Sequence, residues 1–156
     1  FYYNEEDIRH VLRHPRSMIG SDGYALAPYG ALGRGRMHPR SYGTFPMIFR
    51  KYVRGESRPD LWHDAGEKVL SLEGAVRKMT SVPARKLGLK DRGLLRRGMW
   101  ADIVVLDPDT VADTATYLDP YRYPAGVRHV LVNGVPVIRK GEHTGALPGR
   151  PLRHEA

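Results

Sequence analysis

Near Gly93 the hydrophobic pattern of the chain changes its period, and that change limits the fold more than any other feature. Before it, apolar residues recur at helical spacing: Ile8, Val11 and Leu12; then Phe45, Ile48, Phe49, Tyr52 and Val53; then Leu72, Ala75, Val76 and Met79. After it the spacing is that of strands. The run ADIVVLD at 101–107 is nearly continuous and β-branched, and HVLVNGVPVI at 129–138 holds Asn133-Gly134 between two apolar runs. Asn-Gly supplies the positive φ angles of a tight type I′ turn, so this stretch reads as a hairpin. Pro136 restricts its strand to an edge or a bulge, because proline donates nothing to a ladder. The boundary falls near residue 92, with an α/β segment at 1–92 and a small β segment at 93–156.

Within the first segment the punctuation is explicit. Residues 4–14 predict a helix with Asn4 as N-cap, Glu5, Glu6 and Asp7 in the first turn, and Pro15 as the stop. SMIG at 17–20 reads as a short strand. Residues 44–54 predict a second helix, capped by Thr44 with Pro46 in its first turn. A third starts at Ser71, and SVPARKLGL at 81–89 predicts a short fourth, with Pro83 in its first turn and Gly88 as its stop. Helix, brief connection and apolar strand in succession is the α/β pattern.

A length of 156 residues suits one ordinary domain, and 41% hydrophobic with 27% charged residues is a globular composition. The net charge of +8 raises the question of a nucleic-acid partner. The basic residues are spread out, however: residues 1–100 hold 19 Lys/Arg against 10 Asp/Glu, and residues 101–156 hold 6 against 7. No nucleic-acid partner is expected. Without cysteine the chain forms no disulfide and no thiolate metal site. No apolar run approaches the ~20 residues that span a bilayer, and no leader opens the chain, so no membrane partner and a cytoplasmic location are expected. The chain opens on Phe1 rather than Met, with helical patterning already at Asn4, and a start inside a longer polypeptide is expected.

The candidate site begins with MIGSDG at 18–23. Ser-Asp-Gly suits a turn, and Asp22 would stand at the carboxyl end of a strand, where α/β folds collect catalytic groups. From Gly20 to Gly43 the chain then carries six glycines, two prolines, three arginines and a histidine. Loops this long are uncommon in compact domains and usually functional or disordered. The remaining histidines, His10, His14, His63, His129, His143 and His154, lack metal-ligand spacing, since neither HxH nor HExxH occurs.

Several blocks carry a resemblance. GLLRRGMWADIVVLD at 93–107, followed by VLVNGVPV at 130–137 and Gly141, resembles the C-terminal β segment of the amidohydrolase superfamily. IGSDG at 19–23, HPRSYGTFP at 38–46, LSLEGAVRKMTSVPARKLGLKDRG at 70–93 and HTGALPGRPLR at 143–153 resemble the N-acyl-D-amino-acid deacylases, or D-aminoacylases, within it. The resemblance implies an α/β fold: the end of a (β/α)8 TIM-barrel over 1–92 plus C-terminal strands of a small β-sandwich over 93–156. It implies hydrolysis of a linear amide by a zinc-activated water, yielding a carboxylate and a D-amino acid. Asp22 would be the acid/base group, and Arg40 would grip the α-carboxylate of the N-acyl-D-amino acid substrate. Ser21 and Gly23 would shape the pocket, and His38 would orient the loop.

The zinc ligands of such enzymes lie upstream of the matching region. The resemblance therefore implies that the N-terminal remainder of the same enzyme is a partner and that the chain is inactive alone. Two other readings stand beside it. A dihydroorotase- or hydantoinase-like cyclic amide hydrolase shares the β segment but lacks the HPR…GTFP and GALPGR blocks. A basic binding module would be recognised by salt-sensitive binding to polyanions.

Overall fold

The computed structural model describes residues 4–30, 33, 35–61 and 64–153. Helix α1 spans Glu5–Arg13, and the Asn4 side chain accepts the backbone N–H of Glu6 at 3.1 Å, as an N-cap does. Helix α2 spans Arg40–Met47 and runs directly into a π-helical segment, Ile48–Arg54. Helices α3, Leu72–Met79, and α4, Ser81–Lys86, follow. The Ser71 hydroxyl caps α3 by accepting the Gly74 N–H at 3.0 Å, and Gly88 ends the α4 turn at φ +73°.

Four strands make one antiparallel sheet in the order β1 (Ile103–Leu106), β2 (Val127–Val132), β3 (Val135–Arg139), β4 (Glu142–His143). The hairpin stands where Asn133-Gly134 placed it, with φ of +51° and +81° at the two turn residues. Leu131 pairs with Pro136 immediately after an irregularity in the β2–β3 register, so the proline occupies a bulge.

Two expectations need correction. Helix α2 begins at Arg40, not Thr44: Pro39 has the helical φ of −52°, and the His38 ring accepts the Arg40 N–H at 3.1 Å. The Thr44 hydroxyl, placed mid-helix, bonds back to the Arg40 carbonyl at 3.0 Å instead of capping. Gly43, read as part of a loop, lies buried inside the helix because Asp113 presses on it; a Cβ added there would lie 3.1 Å from the Asp113 Cβ. Second, SMIG forms no strand. Its backbone N–H groups are tied at Ser17, to the His14 carbonyl at 3.1 Å, and at Ile19, to the Lys78 carbonyl at 3.2 Å, and no described segment pairs with it as a strand. Strand β1 is partly exposed: Val104 and Val105 are 56% and 44% exposed. Adjacent in the strand, they point to opposite faces, so β1 is open on both within the described residues.

The core crosses Gly93. Leu12 of α1, Ile48, Phe49 and Tyr52 of the π-helical segment, Ala75 of α3 and Val111 form its buried centre. Leu106 of β1 and Val127 of β2 pack against it. A second, charged layer lies alongside. Arg50 is bonded to Asp113 at 2.6 Å and to Asp64 at 2.7 Å, Lys51 to Asp64 at 3.3 Å and Glu5 at 3.0 Å, and Arg58 to Asp113 at 3.1 Å. Arg50, Lys51 and Asp113 are all buried.

Removing one member of a buried ion pair leaves its partner desolvated and unpaired. Asp113→Ala is therefore expected to cost about 3–5 kcal/mol in urea unfolding. A loss below about 1 kcal/mol, the scale of a surface pair, would show that Arg50 finds compensation elsewhere.

Candidate active site

Ser21, Asp22 and Gly23 form a tight turn docked on the start of α2. The Gly23 N–H bonds to the Ser21 hydroxyl at 3.2 Å, and Asp22 takes the left-handed φ of +48°. A non-glycine residue pays for that conformation, and aspartate is among the few that tolerate it. Gly23 is required by space: a Cβ there would lie 2.7 Å from the Ser41 Cα. The Ser41 hydroxyl accepts the Tyr24 N–H at 3.3 Å and the Thr44 hydroxyl reaches the Ser21 carbonyl at 3.5 Å, so α2 holds the turn on both sides of Gly23.

What precedes the turn is anchored by Lys78. Its buried ammonium donates to the His14 carbonyl at 2.6 Å, the Ser17 hydroxyl at 2.7 Å and the Ser17 carbonyl at 3.3 Å. Desolvation holds the Lys78 pKa below its ordinary value, with Arg77 adding to the effect. An amphipathic helix pattern gives no sign that a lysine on α3 will face inward to bond this segment.

The docking brings Asp22 and Arg40 together. An Arg40 guanidinium nitrogen lies 3.0 Å from an Asp22 carboxylate oxygen, with the side chains 42% and 85% exposed. Beside them opens a cleft of about 190 Å³ lined by Ser21, Gly23, Tyr24, Arg40, Tyr42 and Phe45, among others. The expected site residues Ser21, Asp22, Gly23, His38 and Arg40 thus belong to one locality. Sequence reasoning missed Tyr24, Tyr42 and Phe45. By spacing Phe45 belongs to the apolar stripe of its helix, yet it lines the cleft and is 42% exposed.

His38 accepts the Arg40 N–H through Nδ1, which requires that nitrogen to be unprotonated. The Tyr117 ring stands edge-on 5.1 Å away and strips part of the water from an imidazole otherwise exposed. Desolvation and then the Arg40 charge lower the His38 pKa from 6.5, while Asp22 opposes them. At neutral pH the ring is mainly uncharged.

Among the described residues no group of three or more His, Asp or Glu side chains could hold a metal ion. Zinc therefore does not fit the described residues, and His10, His14, His129 and His143 form no such site among them. His63 and His154 lie outside the described residues. Nor is any helix of the described residues long and apolar enough to cross a membrane.

This arrangement has known counterparts. Residues 17–138 match the amidohydrolase family, and the chain belongs to it. Over all 156 residues it is 42% identical to an N-acyl-D-glutamate deacylase of Alcaligenes xylosoxydans xylosoxydans, and 42% identical to a D-aminoacylase of the same organism. It spans only 28% of the length of each of these relatives. A solved D-aminoacylase variant with copper chloride superimposes with a TM-score of 0.78 at 39% identity, over 97% of this chain and 28% of that one. The N-acyl-D-glutamate deacylase of Bordetella bronchiseptica, solved with zinc and a phosphonate mimic of the tetrahedral intermediate, gives 0.70 at 40% identity, over 86% and 24%.

The His38 environment makes a signed prediction. By NMR its titration midpoint should lie below 6.5, fall further in Asp22→Asn and rise in Arg40→Ala. Because the unfolded chain takes up this proton first, the His38 contribution should lower stability as pH falls below about 6.5. A midpoint unmoved by either substitution would show that the two charges do not act on the ring.

Proposed function

We propose that this chain is the C-terminal portion of an N-acyl-D-amino-acid deacylase, with residues 1–92 at the end of its (β/α)8 barrel and 93–156 as the C-terminal share of its small β-sandwich. The observation that carries the reading is the Asp22–Arg40 pair, 3.0 Å apart beside a cleft, in a chain 42% identical along its whole length to an enzyme of that activity. The exposed Val104 and Val105 support the same assignment, because a nearly continuous β-branched run ordinarily belongs to a covered sheet. Two deacylases of linear N-acyl-D-amino acids and a D-aminoacylase at 39–42% identity favour this substrate class over cyclic amides.

In this reading the metal is held by residues outside the chain, and the chain supplies two organic groups. Asp22 takes a proton from the attacking water and passes it to the leaving nitrogen, the exchange that amide cleavage needs because an amide anion leaves poorly. Arg40 binds the substrate α-carboxylate with its planar fork of donors, one nitrogen of which lies 3.0 Å from Asp22 in the chain as it stands. Substrate binding then draws Arg40 from Asp22 and leaves the aspartate free to accept a proton. Ser21 and Gly23 shape the cleft wall, and His38 fixes the start of α2 through its bond to the Arg40 N–H.

In the full-length enzyme, Asp22→Asn should lower kcat by about 100-fold or more while zinc content stays constant. Arg40→Ala should raise KM for an N-acyl-D-amino acid about tenfold or more, the scale of a lost charge-assisted hydrogen bond. Undiminished turnover in the first variant, or an unchanged KM in the second, would remove that residue from its role.

A further inference from the structure

The long polar excursion between β1 and β2 returns to the candidate site, and tyrosines make the contact. The Tyr121 hydroxyl donates to the carbonyl of Gly35, with the Gly33 carbonyl 3.4 Å away. The Tyr121 and Tyr123 rings pack edge-on against Tyr42 at 6.0 and 5.7 Å, and Tyr117 packs against His38. Tyr42 stands two residues after Arg40 on α2, and its hydroxyl donates to the Leu26 carbonyl at 3.0 Å. The early part of the loop after Asp22, at Leu26, and its later part, at Gly33 and Gly35, are thus both tied to one aromatic cluster. Burial holds the Tyr42 pKa above its ordinary value, with Tyr123 and Tyr121 adding to it, so its hydroxyl keeps the proton it donates.

The excursion has rigid footing of its own. Ala112 and Ala125 bridge its two arms, and the Thr114 hydroxyl donates to the Tyr123 carbonyl at 2.7 Å. Asp113 lies in the buried charge layer, and Arg58 holds the Asp113 and Ala115 carbonyls at 3.0 and 3.2 Å. A firm base with tyrosines at its tip is a device for positioning whatever the tip touches.

We propose that segment 117–123 is a clasp on the loop between Gly23 and Arg40, with Tyr121 as its positioning residue, so that the hold of Arg40 on a substrate carboxylate depends on the Tyr121 hydroxyl. This rests on the deacylase reading for its kinetic consequence but not for the clasp itself, which is a contact within the fold. Tyr121 touches no reacting group; it acts through the loop and α2.

The test uses Tyr121→Phe in the full-length enzyme, which removes one hydroxyl and keeps the ring. Amide hydrogen exchange over residues 24–37 should become faster, while exchange in β1–β3 stays unchanged. KM should rise about three- to tenfold, as one lost hydrogen bond allows, with kcat within about twofold. Placed on Arg40→Ala, the substitution should cause no further rise in KM, because two changes acting through one contact do not add. Unchanged exchange over 24–37 overturns the clasp whatever the kinetics. Faster exchange with an additive KM effect overturns the dependence on Arg40. If Arg40→Ala itself leaves KM unmoved, the carboxylate grip proposed above fails, and the exchange result alone then decides the clasp.

Discussion

The structure depends on charges that have been taken out of water. Arg50, Lys51 and Asp113 are buried, and a buried ion costs several kcal/mol unless its neighbours replace the lost hydration. Here they do so by number. Asp113 faces two guanidinium groups, from Arg50 and Arg58, while Asp64 faces Arg50 and Lys51. Further donors are used locally: Arg50 also reaches the Glu56 carbonyl at 2.7 Å, and Lys51 reaches Glu5. Stretches from three distant parts of the chain, α1, the 48–64 region and the 111–115 strip, must all be in place before every one of these groups is satisfied. Such a network does less for net stability than for uniqueness, because a shifted register would leave a charge unpaired.

The winding at 48–54 makes this layer sterically available. Five successive residues, Ile48 to Tyr52, are buried, which an amphipathic helix on a surface does not allow. Apolar Ile48, Phe49 and Tyr52 enter the core, and Arg50 and Lys51 meet the acids. The carbonyls of Lys51 and Tyr52 are taken up by the N–H groups of Glu67, Val69 and Leu70 at 2.8–3.0 Å. The returning strand of chain thereby seals the end of the segment. Tyr52 completes the layer by donating to Glu5 at 2.8 Å; burial, then that carboxylate, push its pKa well above the ordinary phenol value.

What could be read from the sequence, and what could not, divides along the same physical line. Elements governed by local chemistry were legible: the Asn4 and Ser71 caps, the Gly88 stop and the Asn133-Gly134 turn each act through bonds within a few residues. Features governed by distant partners were not. Gly43 reads as a breaker until Asp113, seventy residues on, is seen to need its empty side. Arg50 and Lys51 read as solvated until their acids arrive from three other segments. At the site, Asp22 was marked by its Ser-Asp-Gly turn, while its role and the roles of Arg40, Ser21 and Gly23 came from resemblance; no periodicity would have assembled them. Tyr117, Tyr121 and Tyr123 gave only a composition signal, aromatics gathered in an otherwise polar excursion.

The Asp22–Arg40 pair is a different kind of contact from the buried layer, and the difference suits its proposed work. An exposed ion pair contributes on the order of 0–1 kcal/mol, too little to fold a turn around itself. The turn is fixed by its backbone instead, through the Gly23 approach to Ser41 and the bonds that Ser41 and Lys78 make on either side. Asp22 is thus held in a left-handed conformation worth roughly 1–3 kcal/mol of strain by contacts that do not involve its carboxylate. A group positioned by its backbone and only loosely occupied by its ionic partner can surrender that partner without losing its place. A competing carboxylate, presented to Arg40 in a drier setting than bulk water, needs little free energy to open the pair, and the aspartate it releases is already where the turn has put it.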